Sequence, residues 1–214
     1  MQIMRSLAVA GLVLAMAPQM MAEQAMPKMM YKTTETPSYR VESSKDGLEI
    51  RDYAPRIVAE VTVGGSRTGA INAGFRVLAG YIFGGNEARA KVAMTSPVAQ
   101  VASEKIAMTT PVAQTGTDGQ WVVRFTMPQS YRMDTLPKPK DPRIKLLEQP
   151  GDREVVIQFS GLAGADVLAS EEAKLRAFAT QQGLTLGAGP FYYFYDAPFT
   201  LPWNRRNEIA FQLK

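Results

Sequence analysis

Two short segments in the first half of the chain alternate apolar and polar residues, which is the pattern of half-buried β-strands. They are Leu48 to Tyr53 and Arg56 to Val63, separated by Ala54-Pro55. The pattern predicts two antiparallel strands joined by a tight turn. Gly64-Gly65-Ser66 then ends the second strand and is typical of a helix start, so a helix is expected from about Arg67 to Phe83.

The predicted helix carries a wider apolar surface than packing against one sheet requires. Its apolar positions form two stripes, Ile71, Phe75, Leu78 and Ile82 on one and Ala70, Ala73, Val77 and Tyr81 on the other. Two explanations remain open. The second flank packs against another protein surface, for example a loop, or it lines an apolar ligand groove.

One segment occurs twice with conservative differences. KVAMTSPVAQ (residues 91–100) recurs as KIAMTTPVAQ (residues 105–114), and each copy predicts a short strand with a proline near its start. A stronger strand is predicted from Trp121 to Met127, before a proline-rich connection from Pro128 to Pro142.

The second half of the chain repeats the plan of the first. Strands are predicted at Arg143–Glu148, Glu154–Phe159, Phe191–Tyr195 and Glu208–Leu213, and a helix is predicted at Ala165–Gln182. Strand pair, helix and strand pair therefore occur twice. This order predicts an α+β fold built from a duplicated β-α-β-β unit, in which antiparallel sheets close around a shared core with both helices outside.

The first 22 residues differ in composition from the rest of the chain. Arg5 is their only charge, and an apolar run follows from Leu7 to Ala17, so they predict a signal peptide cleaved after Ala22. The run is shorter than the roughly 20 residues of a membrane-spanning helix. A periplasmic or secreted protein without a membrane span is therefore expected. Residues 23–38 lack periodicity and predict a flexible lead-in, which leaves residues 39–214 as a single domain.

Composition narrows the possible chemistry. The chain has no cysteine and no histidine, which excludes thiolate zinc sites, a cysteine nucleophile, a Ser-His-Asp triad and iron held by histidine. The formal net charge of +4 is scattered along the chain, so nucleic-acid binding is not expected. Without a nucleophile-base pair or a phosphate-binding loop, an enzyme is not expected either.

Several separated motifs occur in order between about Tyr39 and Lys214. They are GYIFGGN (80–86), AMTSPV (93–98), the strand from Val122 to Pro128, YDAPF (195–199) and RRNE (205–208). Together they resemble the SOUL haem-binding protein family. The resemblance implies a distorted antiparallel β-barrel with two flanking helices, similar to the effector-binding domains of bacterial transcription regulators. It also implies that haem or a related tetrapyrrole binds between the first helix and the loop before the last strand.

Mapped onto this sequence, the implied groove has two walls. The helix wall comprises Phe75, Leu78, Ala79, Ile82 and Phe83. The loop wall comprises Pro198, Phe199, Thr200 and Leu201. The ligand would thus lie against the helix whose apolar surface is unusually wide. Arg205 and Arg206 are candidates for pairing with haem propionates. Alternatively, these arginines stabilise the loop or bond to Asp196 or Glu208.

The absence of histidine is a departure from the family pattern, because some members are thought to ligate haem iron through histidine. Haem would here bind non-covalently, with Met, Tyr or Lys as an axial ligand that the sequence does not identify, or by apolar contact and propionate pairing alone. Met94 and Met108 lie in the repeated segment, but a strand methionine is more typical of a core.

Glu208 begins an apolar strand, and if buried it would need a partner or a raised pKa. A rim glutamate paired with Arg205 or Arg206 is the favoured interpretation. Two other functions remain open, and no protein partner is identified. One is the binding of a different amphipathic small molecule, and the other is protein interaction through the aromatic loop from Phe199 to Trp203.

Overall fold

The computed structural model describes residues 26–88, 103–117 and 119–214. The predicted signal peptide (residues 1–22) and the first copy of the repeat, with Met94, lie outside the described residues. Within the described part of the chain, no helix is long and apolar enough to cross a bilayer.

The elements follow one another in an order close to the predicted one. They are β1 (Met29–Tyr31), β2 (Thr34–Thr36), β3 (Tyr39–Lys45), β4 (Leu48–Tyr53), β5 (Arg56–Gly64), α1 (Arg67–Ile82), β6 (Asn86–Glu87), β7 (Val112–Thr117), β8 (Gln120–Thr126), β9 (Lys138–Pro139), β10 (Lys145–Gln149), β11 (Asp152–Phe159), α2 (Ala165–Gln181), β12 (Phe191–Phe194) and β13 (Asn207–Gln212). A short 3-10 helix, Pro202–Asn204, lies in the loop between β12 and β13.

Nine of these strands form one antiparallel sheet that curls into a half-barrel. The strand order is β10-β5-β8-β7-β12-β13-β11-β4-β3, and β1-β2 and β6-β9 form two small separate sheets. Both long helices pack on the same face of the large sheet, where α1 covers β5 and β8 and α2 covers β11 and β13. The predicted α+β fold with a distorted antiparallel barrel and two flanking helices is confirmed.

The sheet order shows the predicted duplication. In β5-α1-β7-β8 the first strand pairs with the last, and β11-α2-β12-β13 repeats this arrangement. The two units meet where β7 pairs with β12.

The predicted pairing of β4 with β5 across Ala54-Pro55 is wrong. β4 pairs with β11, and β5 pairs with β10, so the strand that precedes each unit pairs with the first strand of the other unit. Alternation of apolar and polar residues defines the two faces of a strand but not its neighbours, and Pro55 would occupy the third position of the turn, where proline is disfavoured because its ring keeps Ala54 out of the helical region.

The curl of the sheet brings its two halves together on the concave face. Arg56 on β5 and Asp152 on β11 are separated by four strands in the sheet, yet the Arg56 Nη1 and Asp152 Oδ1 atoms are 2.8 Å apart. Side chains on this face therefore pack in the interior rather than facing solvent.

The wide apolar surface of α1 is explained by protein packing on both flanks. Leu78 and Ile82 pack in the core against the sheet, while the Tyr81 hydroxyl donates to the Pro137 carbonyl at 2.8 Å. Leu136, from the same proline-rich connection, is fully buried in this core. The helix begins as predicted, because the Ser66 side chain accepts a hydrogen bond from the Gly69 N–H at 3.2 Å.

Residues 29–36 are ordered, although the sequence predicted a flexible lead-in through Ser38. β1 and β2 form a hairpin, and Glu35 and Thr36 are buried against the domain. The Glu35 carbonyl accepts from the Thr110 N–H at 2.9 Å. The hairpin was not predicted, because tertiary contacts, rather than a local hydrophobic period, hold the segment.

Candidate functional site

The residues predicted for the helix wall of the groove have different environments. Leu78 and Ile82 are fully buried in the core beneath α1. Phe75 is half-buried and packs edge-to-face on Phe125, with ring centroids 5.5 Å apart. Ala79 is half-buried, and Phe83, which caps the helix, is exposed. Ala79 and Phe83 are therefore the helix-wall residues best placed to meet a ligand without opening the core.

The residues predicted for the loop wall are more accessible. Pro198, Phe199 and Leu201 are exposed, and Thr200 is half-buried. Internal hydrogen bonds give the loop a defined shape, since the Thr200 N–H donates to the Ala197 carbonyl at 2.9 Å. The exposed apolar side chains are thus held in solvent by an ordered backbone.

The two walls lie at the same end of the sheet, where β8 and β12 finish. β12 ends at Phe194, whose register partner is Val112, and Val112 in turn pairs with Phe125 near the end of β8. The residue after β8, Met127, shares a core cluster with Ile82 at the end of α1. The ends of β12 and β8 are therefore two interstrand spacings, or about 10 Å, apart, and α1 packs on β8.

The N-terminal hairpin holds the loop in place. The carboxylate of Asp196 accepts hydrogen bonds from the Tyr31 hydroxyl at 2.9 Å and from the Arg206 backbone N–H at 2.8 Å, and it also pairs with Lys32. The Tyr31 and Tyr195 rings pack edge-to-face at 5.2 Å. This anchor is not predictable from the local sequence pattern, because residues 29–36 lack a hydrophobic period.

Glu208 is fully buried on the concave face, so the favoured prediction of a rim position is wrong. Its carboxylate accepts two hydrogen bonds from Arg51, each 2.9 Å long, and one from the Tyr195 hydroxyl at 3.0 Å. Arg206 also donates to it, at 2.6 Å, as the sequence had suggested. Burial opposes ionisation, but the two arginines hold the pKa of Glu208 below its usual value.

The two arginines proposed for propionates have structural partners. Arg206 donates to Glu208, whereas Arg205 donates through Nε to the Thr200 carbonyl at 2.7 Å and through Nη2 to the Pro198 carbonyl. These two bonds use two of the five N–H groups of a guanidinium. Arg205 therefore brings a positive charge to the loop wall, while the charge of Arg206 is directed inward.

Glu154 is a second buried carboxylate on the concave face, which the sequence analysis did not identify. It accepts from the Tyr193 hydroxyl at 2.9 Å, and its nearest cation, Arg56, lies 3.8 Å away. Because Arg56 makes its close contact with Asp152, burial prevails and raises the pKa of Glu154 to about 7. Arg51 occupies a polar position of an alternating strand, which the pattern alone assigns to solvent, and Glu154 lies in the charged start of β11.

A cavity of about 1130 Å³ opens beside the N-terminal hairpin, next to the β4–β5 connection and the β10–β11 turn. Its wall includes Tyr53, Arg56, Tyr131, Glu148 and Gln149. This volume exceeds that of most small-molecule pockets. The cavity is separate from the predicted groove, since none of the predicted groove residues lines it.

The predicted groove residues fit the macrocycle of a tetrapyrrole but not its iron. They are aliphatic or aromatic apart from Thr200, and none carries a nitrogen or sulfur side-chain donor. Within the described residues no cluster of acidic side chains is arranged to hold a metal ion. Met108, in the second repeat copy, is partly exposed rather than in the core.

The profile of the family described as SOUL heme-binding protein matches residues 34–212. Similar solved structures include one described as a hydrolase from Listeria innocua, with 12% identity and a TM-score of 0.52 over 81% of this chain and 94% of that one. The C-terminal domain of EcmrR gives 11% identity and a TM-score of 0.56 over 82% and 98% of the two chains. These likenesses concern the fold alone. No match to a curated protein sequence was found.

Proposed function

Because the chain belongs to the SOUL heme-binding protein family, we propose that it binds haem or a related tetrapyrrole, non-covalently, between the end of α1 and the loop before β13. One observation carries the location. Phe83, at the end of α1, and Phe199, in the loop after β12, are large exposed apolar residues at the same end of the sheet. Exposed aromatic side chains in this arrangement favour a flat, apolar ligand.

The two ends of an amphipathic tetrapyrrole would meet different chemistry in this groove. The macrocycle would pack against Phe83, Phe199 and Leu201, while a propionate would pair with the guanidinium of Arg205 at the base of the loop. Arg206 contributes indirectly, because its bond to Glu208 fixes the end of the loop.

The proposed binding mode does not depend on iron. The groove residues offer the metal no nitrogen or sulfur side-chain ligand, so affinity comes from apolar burial and propionate pairing. Metal-free protoporphyrin is therefore expected to bind within a few-fold as tightly as hemin. A strong preference for hemin, removed by one Met or Tyr substitution, would contradict this mode of binding.

The test is a hemin titration followed by Soret absorbance, with variants on each side of the groove. Phe83→Ser and Phe199→Ser change exposed side chains, so both variants should fold and bind hemin at least about tenfold more weakly. Leu78 is unsuitable for such a test, since an Asp at this fully buried position would destabilise the core.

Two control variants separate the groove from other sites. Leu147→Ser changes an exposed apolar residue on β10, and Glu148→Trp obstructs the cavity beside it. Both should bind hemin as the wild type does. If the affinity falls only in Glu148→Trp, the ligand occupies the cavity and the groove assignment fails. If the folded wild type shows no saturable binding, tetrapyrrole binding itself fails.

We also propose that the protein is exported and that its signal peptide is cleaved after Ala22. The basis is the single charge and the apolar run of the first 22 residues. Expression in a bacterial host followed by mass spectrometry of the periplasmic fraction should detect a chain beginning at Glu23. Recovery of only the uncleaved chain, from the cytoplasm, would overturn this proposal.

A further inference from the structure

The two most exposed large apolar side chains of the described residues lie in the loop between β12 and β13. Phe199 is 90% exposed and Trp203 is 69% exposed. Two further exposed side chains lie in the same or the adjoining segment, and we call the surface that comprises Leu162, Phe199, Leu201 and Trp203 the apolar tip. So many large exposed apolar groups in adjoining segments are typical of an interaction surface.

The two segments of the apolar tip are joined by backbone contacts. The Gly161 N–H donates to the Pro202 carbonyl at 2.9 Å, and the Asn207 side chain donates to the Gly161 carbonyl at 3.0 Å. Leu162 is therefore held beside the loop that carries Leu201 and Trp203. Because the backbone is fixed in this way, the apolar side chains cannot simply fold back onto the domain.

An ion pair next to the tip has its positive partner on the outside. In the pair of Lys32 with Asp196, the lysine side chain is 53% exposed and the carboxylate only 5%. Arg205 adds a second cation at the base of the loop, whereas Asp166 in the first turn of α2 is an exposed acid. The charge that faces outward around the tip is therefore mainly positive.

We propose that the apolar tip docks on the surface of a bilayer that contains anionic phospholipids. Phe199, Leu201 and Trp203 would enter the interfacial region, and Lys32 and Arg205 would face the phosphate groups. A bilayer is favoured over a protein partner because these side chains project from a turn and need no complementary pocket. This docking uses Phe199, Leu201 and Arg205, which also belong to the proposed groove, but it requires no tetrapyrrole and is therefore tested without haem.

Tryptophan fluorescence gives a direct test, because the chain contains two tryptophans. Trp121 lies on β8, and its indole N–H donates to the Gly65 carbonyl. In the Trp121→Phe variant of the full chain, Trp203 alone reports on the tip, and the N-terminal apolar run contributes no signal. Without haem, vesicles of phosphatidylglycerol and phosphatidylcholine should shift its emission to the blue, and brominated acyl chains should quench it.

Matched variants decide whether the tip and its charges are responsible. In the same background, Leu162→Ser combined with Phe199→Ser should weaken vesicle binding at least about tenfold, and Lys32→Gln should weaken it a few-fold. The control Leu147→Ser should bind as the parent does. Pure phosphatidylcholine should bind less protein, and added salt should reduce binding to the anionic vesicles.

Three results would overturn the proposal. One is the absence of a blue shift and of quenching with anionic vesicles, and another is equal binding by the Leu162→Ser, Phe199→Ser variant. The third is a parent protein that ignores vesicles but forms dimers that this variant lacks, since the tip would then contact a second copy of the chain. None of these three results decides the outcome of the hemin titration in solution, so the two proposals can fail separately.

Discussion

Arg51 on β4 and Glu208 on β13 face each other across β11 and share two hydrogen bonds of 2.9 Å in a site closed to water. Both side chains are fully buried, and Arg206 approaches the same carboxylate from the end of the loop between β12 and β13 (residues 195–206), which we call the ligand loop after its proposed role. The pair therefore connects the interior of the half-barrel with the proposed groove. Its removal should affect both folding and the position of the loop.

Replacement of Glu208 by Gln should lower the free energy of unfolding by roughly 3–5 kcal/mol. The substitution keeps the shape of the side chain but leaves Arg51 without its buried counter-charge, and an unpaired buried charge is costly. Chemical denaturation followed by circular dichroism measures the effect. The control is Glu42→Gln, which breaks an exposed pair with Arg153 and should cost at most about 1 kcal/mol. Similar losses in the two variants would contradict this account.

Helices were the part of the fold that could best be predicted from the sequence. α1 was expected at Arg67–Phe83 and is found at Arg67–Ile82, and α2 also ends within one residue of its expected end. Each helix packs one apolar side on the sheet, so its period is visible locally. Strand neighbours were not predictable in this way, because the pairings of β4 with β11 and of β5 with β10 join residues far apart in sequence.

The polar interior of the half-barrel was missed for a related reason. Arg51 occupies a polar position of an alternating strand, which normally faces water, and Glu154 lies in the charged start of β11. Only the curl of the sheet encloses them, and the sequence pattern does not encode this curl. By contrast, the exposed residues Phe199 and Leu201 were singled out correctly as loop residues, although their role in ligand binding stays a prediction.

Glu154 should make the protein less stable as the pH rises. Burial raises its pKa from 4.5 to about 7 in the folded protein, so between these values the folded state binds more protons than the unfolded state. The free energy of unfolding should therefore fall by up to about 3 kcal/mol between pH 5 and pH 8, with little further loss from this group at higher pH.

A comparison with Glu154→Gln isolates this contribution. The variant cannot ionise, so its stability relative to the wild type should improve as the pH rises from 5 to 8. Denaturant unfolding at several pH values gives the difference directly. Glu148→Gln, at an exposed position on β10, should follow the wild type throughout. A constant difference between Glu154→Gln and the wild type across this range would show that Glu154 does not titrate there.

Asp196 should control the order of the ligand loop. Replacement by Ala removes the acceptor for Tyr31, Lys32 and the Arg206 N–H, and an unpaired donor at a half-buried site costs about 1–3 kcal/mol. Amide hydrogen exchange at Thr200 and Asn204 should accelerate more than exchange in α2, and hemin affinity should fall. Asp134→Ala, which changes an exposed ion pair with Arg132, should alter neither property. If exchange in the loop is unchanged, the hairpin does not anchor it.

Two glycines of α1 should respond to alanine with opposite signs. A Cβ atom at Gly74 would lie 2.6 Å from two carbon atoms of the Val123 side chain, whereas at Gly80 it would meet nothing within 4 Å. Gly74→Ala should push the helix from β8 and cost roughly 1–3 kcal/mol. Gly80→Ala should instead stabilise the protein by up to about 1 kcal/mol, because alanine favours the helix. Thermal unfolding of both variants measures the contrast. Equal effects would mean that α1 does not approach β8 closely at Gly74.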